Sequence, residues 1–234
     1  VAVRARDTVP FYRERCPVGG LAGPVRSAEL AGRLHLLTPF ARPFDPAEEP
    51  TLWTGVPADL GAALRTAIGA SRRTPVIEGR RSWVHWQTLG RAGAPYAAVL
   101  TGAVPHTDLD ERARLLAADG RAVLVAGPTE LAEVGTRIGH RGPVVARVSA
   151  EQAQHWRGGA AVVFDRHLGY YAALGGCARW HLSWRRFHAV VGREGLQVTA
   201  LRRTRPTLVR VIPEHPGFRA VTWCPAHGTP VLQP

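Results

Sequence analysis

The clearest pattern along the chain is a run of short apolar segments separated by amphipathic ones. Tyr96–Thr101, Ala122–Ala126, Val144–Val148 and Ala160–Phe164 are each four to seven residues long and almost continuously apolar. Such runs, bounded by turn residues, predict strands buried on both faces. Between them lie segments with helical spacing. Thr107–Asp119 predicts a helix stopped at Asp119–Gly120, Pro128–Gly135 begins a second, and Ala150–Trp156 reads as a third with Ser149 as its N-cap. This β-α-β-α rhythm predicts an α/β fold, with a parallel sheet and flanking helices.

The flanks read differently. Residues 1–16 predict a short helix broken at Pro10 and resumed through Phe11–Arg15. Ser27–Leu37 predicts a helix capped by Ser27 and ending before Pro39, and residues 38–52 a Pro-rich loop. Asp59–Ala70 predicts a helix, and Thr74–Gly90 a turn leading to a segment with Trp83 and Trp86. After Gly175 the pattern changes to strands separated by charged turns: Leu182–Val191, Leu196–Leu201, Thr207–Ile212 and Phe218–Trp223. These predict a small antiparallel β subdomain at the C-terminus. The expected division is an N-terminal helical and Pro-rich segment over 1–52, an α/β core over 53–174 and the β subdomain over 175–234.

Composition narrows the chemistry. All thirty Lys+Arg positions are arginine, and asparagine and methionine are also absent. All three missing residues have A/T-rich codons, so a GC-rich genome is the simplest cause. The functional consequence is firm: no lysine can cradle a nucleotide phosphate, form a Schiff base or serve a kinase. A formal net charge of +12 favours acidic ligands, nucleic acid or another anionic partner. The arginines are scattered, as codon bias alone would leave them. No apolar run is long enough to span a membrane, the N-terminus has no signal core, and three cysteines make no disulfide framework. These features predict a cytoplasmic protein. The missing initiator Met predicts a processed end, a non-ATG start or a truncated sequence.

One constellation carries metal chemistry. Cys177 and His181 form a C-x3-H pair, and Cys224 and His227 a C-x2-H pair in a Pro/Gly-rich turn. Zinc takes four thiolate or imidazole ligands in a tetrahedron, and two close pairs can supply them. Four protein ligands would leave no open position, so the zinc would be structural. With ten histidines in the chain, coincidental neighbours are the alternative. Weaker candidates are Cys16 near Arg13 and Arg15, the pairs His106/Asp108 and Asp165/His167, and the basic cluster Arg202–Arg205. Trp180, Trp184 and Phe187 interleave with Arg179, Arg185 and Arg186, a mixture able to stack bases or simply to pack.

With these residues in view, the chain resembles the phenylacetate–CoA ligase family of adenylate-forming, acyl-activating enzymes. Val9-Pro-Phe-Tyr-Arg-Glu-Arg15 is similar to that family's N-terminal signature, and Arg26–Leu30 and Leu36–Thr38 follow in order. Leu168-Gly-Tyr-Tyr171 stands where the family has its Tyr-Gly-x-x-Glu nucleotide and magnesium motif. Gly195–Leu201, Pro206–Arg210 and Cys224–Pro230 resemble its later strand, Arg-Tyr and closing-turn motifs. The resemblance implies nucleotide or substrate binding by Tyr170, Tyr171 and Arg210, with ATP and CoA as the family's cofactors, and it strengthens the zinc reading.

The departures fall on the family's catalytic positions. Arg72 and Arg73 interrupt the expected phosphate loop near Thr66–Pro75, and Ala172, Ala173 and Leu174 follow the tyrosines where a magnesium-binding Glu is expected. The ribose-binding Asp is replaced by the stretch Val211–Glu214, and the family's C-terminal lid with its catalytic lysine is expected to be absent. The expectation is a reduced, degenerate acyl-activating core that binds an acyl or aryl carboxylate, an acyl carrier or another partner protein, with no residue given a catalytic role. The alternatives are an active adenylating enzyme relying on arginines and a zinc-stabilised nucleic-acid-binding protein.

Overall fold

The structure, a computed structural model, describes residues 1–16, 23–45, 57–81, 95–102, 106–203 and 205–234. The expected segment with Trp83 and Trp86, and residues 46–52 of the Pro-rich loop, lie outside these residues.

The predicted α/β core forms. Strands β2 (Val76–Arg80), β3 (Tyr96–Leu100), β4 (Val123–Ala126), β5 (Val144–Val148) and β6 (Ala161–Asp165) are parallel, in the order β6-β5-β4-β2-β3. Four strands continue the sheet antiparallel beyond β6: β7 (Gly169–Leu174), β8 (Trp180–Leu182), β13 (Pro230–Gln233) and β12 (Ala220–Trp223). The whole is a nine-stranded sheet. A second, four-stranded sheet runs β1 (Val25–Arg26), β11 (Val211–Ile212), β10 (Gly195–Ala200) and β9 (Phe187–Gly192). The antiparallel region after Gly175 is therefore shared between the two sheets.

Both faces of the large sheet are covered, which is why β3 and β4 are apolar throughout. Helix α3 (Pro57–Ile68) packs Leu60, Ala63 and Leu64 against Val76, Val125, Val145, Val162 and Tyr170. On the other face, α4 (Thr107–Ala117) and α5 (Leu131–Ile138) cover Ile77, Val99 and Leu124. Further along that face, α1 (Ala2–Thr8), α2 (Pro10–Arg15), α6 (Ala150–His155) and the second sheet share one cluster. Close packing explains one glycine: a Cβ on Gly79 would stand 2.8 Å from the Ala126 Cβ.

Local signals decide the helix ends. Ser149 Oγ accepts from Gln152 N at 3.1 Å, and Gln152 Oε1 accepts from Ser149 N at 2.9 Å, closing the expected cap. The predicted helix over Ser27–Leu37 is instead β1 followed by two 3₁₀ turns, Ser27–Leu30 and Leu34–Leu37. The Ser27 hydroxyl does not cap. It donates to Asp165 Oδ1 at 2.8 Å, tying the N-terminal segment to the end of β6. The predicted strand Leu182–Val191 is broken by a turn in which Arg186 N and Phe187 N both donate to Ser183 O, so that β8 and β9 enter different sheets.

Candidate metal centre and buried charge cluster

The two Cys/His pairs meet. His181 lies on β8, Cys177 on the turn between β7 and β8, and Cys224 and His227 on the turn between β12 and β13. Because β8 pairs with β13, Val231 opposite His181, the second turn is carried beside the first. Hydrogen bonds shape both turns: Gly175 N to Arg179 O, Ala178 N to Gly175 O, Cys224 N to Thr229 O and Gly228 N to Cys224 O. Left-handed backbone at Ala178 (φ 57°) and Gly228 (φ 58°) follows a cysteine in one turn and a histidine in the other. Gly175 is required by the site itself, since a Cβ there would lie 2.7 Å from the His181 ring.

The four ligand atoms lie within 4.8 Å of one another, so the cluster could hold a metal ion. Cys177 Sγ and Cys224 Sγ are 3.8 Å apart. Zinc–sulfur bonds of about 2.3 Å in a tetrahedron place two sulfurs about 3.8 Å apart, so this edge already has the required length. The sulfur–nitrogen edges are 3.0 Å for Cys177 to His181 Nε2 and 3.3 Å for Cys224 to His227 Nδ1. These are a little shorter than the about 3.5 Å of a filled site. His181 Nδ1 lies 2.8 Å from Thr229 Oγ1. A proton on Nδ1, donated to that hydroxyl, leaves Nε2 free to ligate. Burial opposes ionisation of the Cys224 thiol, but hydrogen bonds from His227 and from the Ala226 and His227 backbone bring it down to about 7. Burial also holds the His181 imidazolium below its ordinary pKa, reinforced by His227 and Arg179, which favours the neutral ligand form. A two-Cys, two-His set of this kind suits zinc.

The strongest electrostatic feature was not anticipated from the sequence. Glu78, only 1% exposed, lies on β2 with both carboxylate oxygens engaged. Arg80 Nε is 3.0 Å and Arg147 Nη1 3.5 Å from Oε1, and the hydroxyls of Tyr170 and Tyr96 donate short bonds to Oε1 and Oε2. Arg147 also donates to Gly79 O at 2.7 Å and reaches Glu130 at 3.3 Å, which pairs in turn with Arg81 at 2.6 Å. Desolvation resists the charge on Glu78, but Arg80 and Arg147 outweigh it and hold the carboxyl below its ordinary pKa. Burial and the Glu78 charge push the phenols of Tyr96 and Tyr170 up. The cluster sits at the carboxyl ends of β2, β4 and β5. Here the strand order reverses, with β2 flanked by β3 and β4, and open α/β sheets bind ligands at such a point.

The other predicted residues are dispersed. Tyr170 and Tyr171 are successive residues of β7 and so face opposite sides of the sheet, Tyr170 toward α3 and Tyr171 into the larger cluster. Neither is more than 1% exposed. Arg210 belongs to the turn before β11, where Nε donates to Gln197 Oε1 at 2.9 Å. Asp165 accepts from Ser27 Oγ, His167 N, Leu168 N and Glu214 N, so it organises three segments. Burial lowers the His167 pKa. Within the basic cluster, Arg203 turns inward to the buried Asp59, together with Arg186. Trp180 and Phe187 are core residues, whereas Trp184 is 45% exposed beneath the Arg185 guanidinium. Cys16 is a free, half-buried thiol packed on the core.

The fold and site define a mixed α/β protein with a Cys/His cluster able to hold a metal and a sealed charge cluster at its topological switch point. No protein-family model and no curated protein matches the chain. Among solved structures it is similar to an open conformation of 2-hydroxyisobutyryl-CoA ligase in complex with 2-HIB-AMP and CoA. The TM-score is 0.62 at 13% identity, covering 99% of this chain and 65% of that one. The shared feature is the fold of an acyl-CoA ligase, over about two thirds of that ligase's length. No helix among the described residues is long and apolar enough to cross a membrane.

Proposed function

We propose that this chain is an acyl-activating core that binds an acyl or aryl carboxylate, or an acyl-bearing partner protein, without ligase activity of its own. The observation that carries the reading is the segment where the resemblance expects a phosphate loop. Such a loop works by aiming free backbone N–H groups at phosphate oxygens. Here those groups are spent internally. Gly69 N donates to Arg65 O and Ala70 N to Leu64 O. Ser71 N donates to Thr74 Oγ1 at 2.9 Å, Arg73 N to Ser71 Oγ at 3.1 Å and Thr74 N to Ser71 O at 3.3 Å. No lysine stands anywhere to replace them. Losing preorganised donors of this kind removes the largest source of transition-state stabilisation in phosphoryl chemistry, on the order of several kcal/mol.

In this reading Arg210, oriented by Gln197, meets the ligand carboxylate, and Tyr170 and Tyr171 support the site from within the sheet. Zinc in the Cys177/His181/Cys224/His227 set fastens β12 and β13 to β8 and takes no part in chemistry. The test is carboxylate-dependent ATP–pyrophosphate exchange by the purified chain, run beside calorimetric titration with phenylacetate. The expected result is no exchange above the protein-free blank, with carboxylate binding that weakens at least about fivefold in Arg210→Ala. Exchange that depends on added carboxylate would overturn the reading, as would binding indifferent to Arg210.

A further inference from the structure

Along helix α3, beside the Cys/His turns, lies a cavity of about 560 Å³. Its wall includes Arg65, Arg72, Arg185 and Arg202, together with Ser183 and Trp184. Arg186, also in the wall, is neutralised by Asp59. Among the described residues no acidic group pairs with the other four arginines. Four guanidiniums around one cavity repel each other, and they form a ready-made receptor for a multiply charged anion.

A further observation points to a ligand. An apolar cleft of about 270 Å³ lined by Leu60, Leu64, Val76 and Tyr96 adjoins the cavity, and Arg65, Arg72 and Arg186 stand in the walls of both. A ligand that used both chambers would carry its charge at one end and an apolar body at the other.

We infer that this cavity binds a small organic phosphate. Its phosphate group is held by Arg65, Arg72, Arg185 and Arg202, and its apolar part lies in the adjoining cleft. A phosphate monoester carries about two negative charges at pH 8 and three strong acceptor oxygens, matching several guanidinium forks at once. A monocarboxylate would neutralise only one arginine. This site goes beyond the carboxylate reading and does not rest on it. Arg210 is not in its wall, and the closed backbone of Ser71–Thr74 leaves the Arg72 side chain free to act.

The test is isothermal titration of the protein purified without chelator at pH 8 and low salt, with phenyl phosphate and with inorganic phosphate. Wild type is expected to bind both, phenyl phosphate at least about fivefold more tightly because of the apolar cleft. Arg72→Gln with Arg202→Gln is expected to weaken phenyl phosphate at least about tenfold. A charge-matched control, Arg112→Gln with Arg121→Gln on exposed positions elsewhere, should change it less than about twofold. Arg65→Gln with Arg185→Gln is a second pocket variant and should reproduce the loss. No binding by wild type, or equal weakening in the pocket and control variants, would overturn the site. Equal affinity for the two phosphates would overturn its organic part. Arg210→Ala should leave phenyl phosphate affinity unchanged, which separates this result from failure of the carboxylate reading.

Discussion

Glu78→Gln is the sharpest probe of how this fold is held. The substitution keeps the shape of the side chain and removes its charge, leaving Arg80 at 3.0 Å facing a neutral amide in a site where Glu78 is 1% exposed. Removing one partner of a buried ion pair costs about 3–5 kcal/mol. Arg147 keeps Gly79 O and Glu130, and the amide oxygen still accepts from one tyrosine, so we expect the lower end, about 3 kcal/mol. For a chain of this size that is a fall in Tm of roughly 6–12 °C. Urea denaturation followed by tryptophan fluorescence, with calorimetry in parallel, measures both. The pH dependence adds a second readout. The folded-state pKa of Glu78 lies below its ordinary 4.5, so its pairing stabilises fully above that value and is lost as pH falls through the folded one. The gap between wild type and variant should therefore be wide at pH 7 and narrow in acid. A loss below about 1 kcal/mol, or a gap independent of pH, would refute the assignment of Glu78 as the charged centre of this cluster.

Other expectations follow from single features. Protein purified without chelator should contain close to one equivalent of zinc by elemental analysis, and Cys224→Ser should lose it and melt at least about 5 °C lower. Ser149→Ala should cost about 1 kcal/mol in urea denaturation, the value of a lost N-cap. Gly217→Ala should destabilise by several kcal/mol or abolish soluble expression, because its Cβ would overlap the Ala150 carbonyl, backbone that cannot rotate away.

Where the sequence reading succeeded, the physics was local. The strands β3 to β6 were legible because both faces of the sheet are covered and each strand is apolar but for Arg147 in β5 and Asp165 at the end of β6. The Cys/His cluster was legible because each pair of candidate ligands is only three or four residues apart in sequence. The failures have nonlocal causes. Strand β2 contains Glu78, Gly79 and Arg80, which read as a turn, and only the surrounding ion pairs make its burial tolerable. Strand β7 hid inside a motif, since Gly169-Tyr-Tyr171 drew attention as a binding segment. The Glu78 cluster itself could not be read, because its tyrosines lie 18 and 92 residues away in sequence. Ser27 shows the same limit: a good capping residue was diverted by a carboxylate 138 residues distant.

The charge cluster and the arginine-lined cavity bear differently on ligand binding. In an open α/β fold, ligands ordinarily enter the crevice at the carboxyl ends of the strands. Among the described residues, Arg80, Arg147 and the buried Glu78 stand near that crevice. A ligand carboxylate entering there would have to replace Glu78 at Arg80 and Arg147 and leave a buried charge without its partner, at a cost of about 3–5 kcal/mol. That exceeds the net gain from one new hydrogen-bonded ion pair, about 1.5–3 kcal/mol. Binding should therefore avoid the switch point and use guanidiniums that remain accessible. The four arginines in the wall of the cavity along α3 meet that condition. A double variant, Glu78→Gln with Tyr170→Phe, isolates the point. If the crevice is closed by its own carboxylate, this variant should gain affinity for phenylacetate even as it loses stability. Unchanged affinity would show that the carboxylate ligand never competes with Glu78.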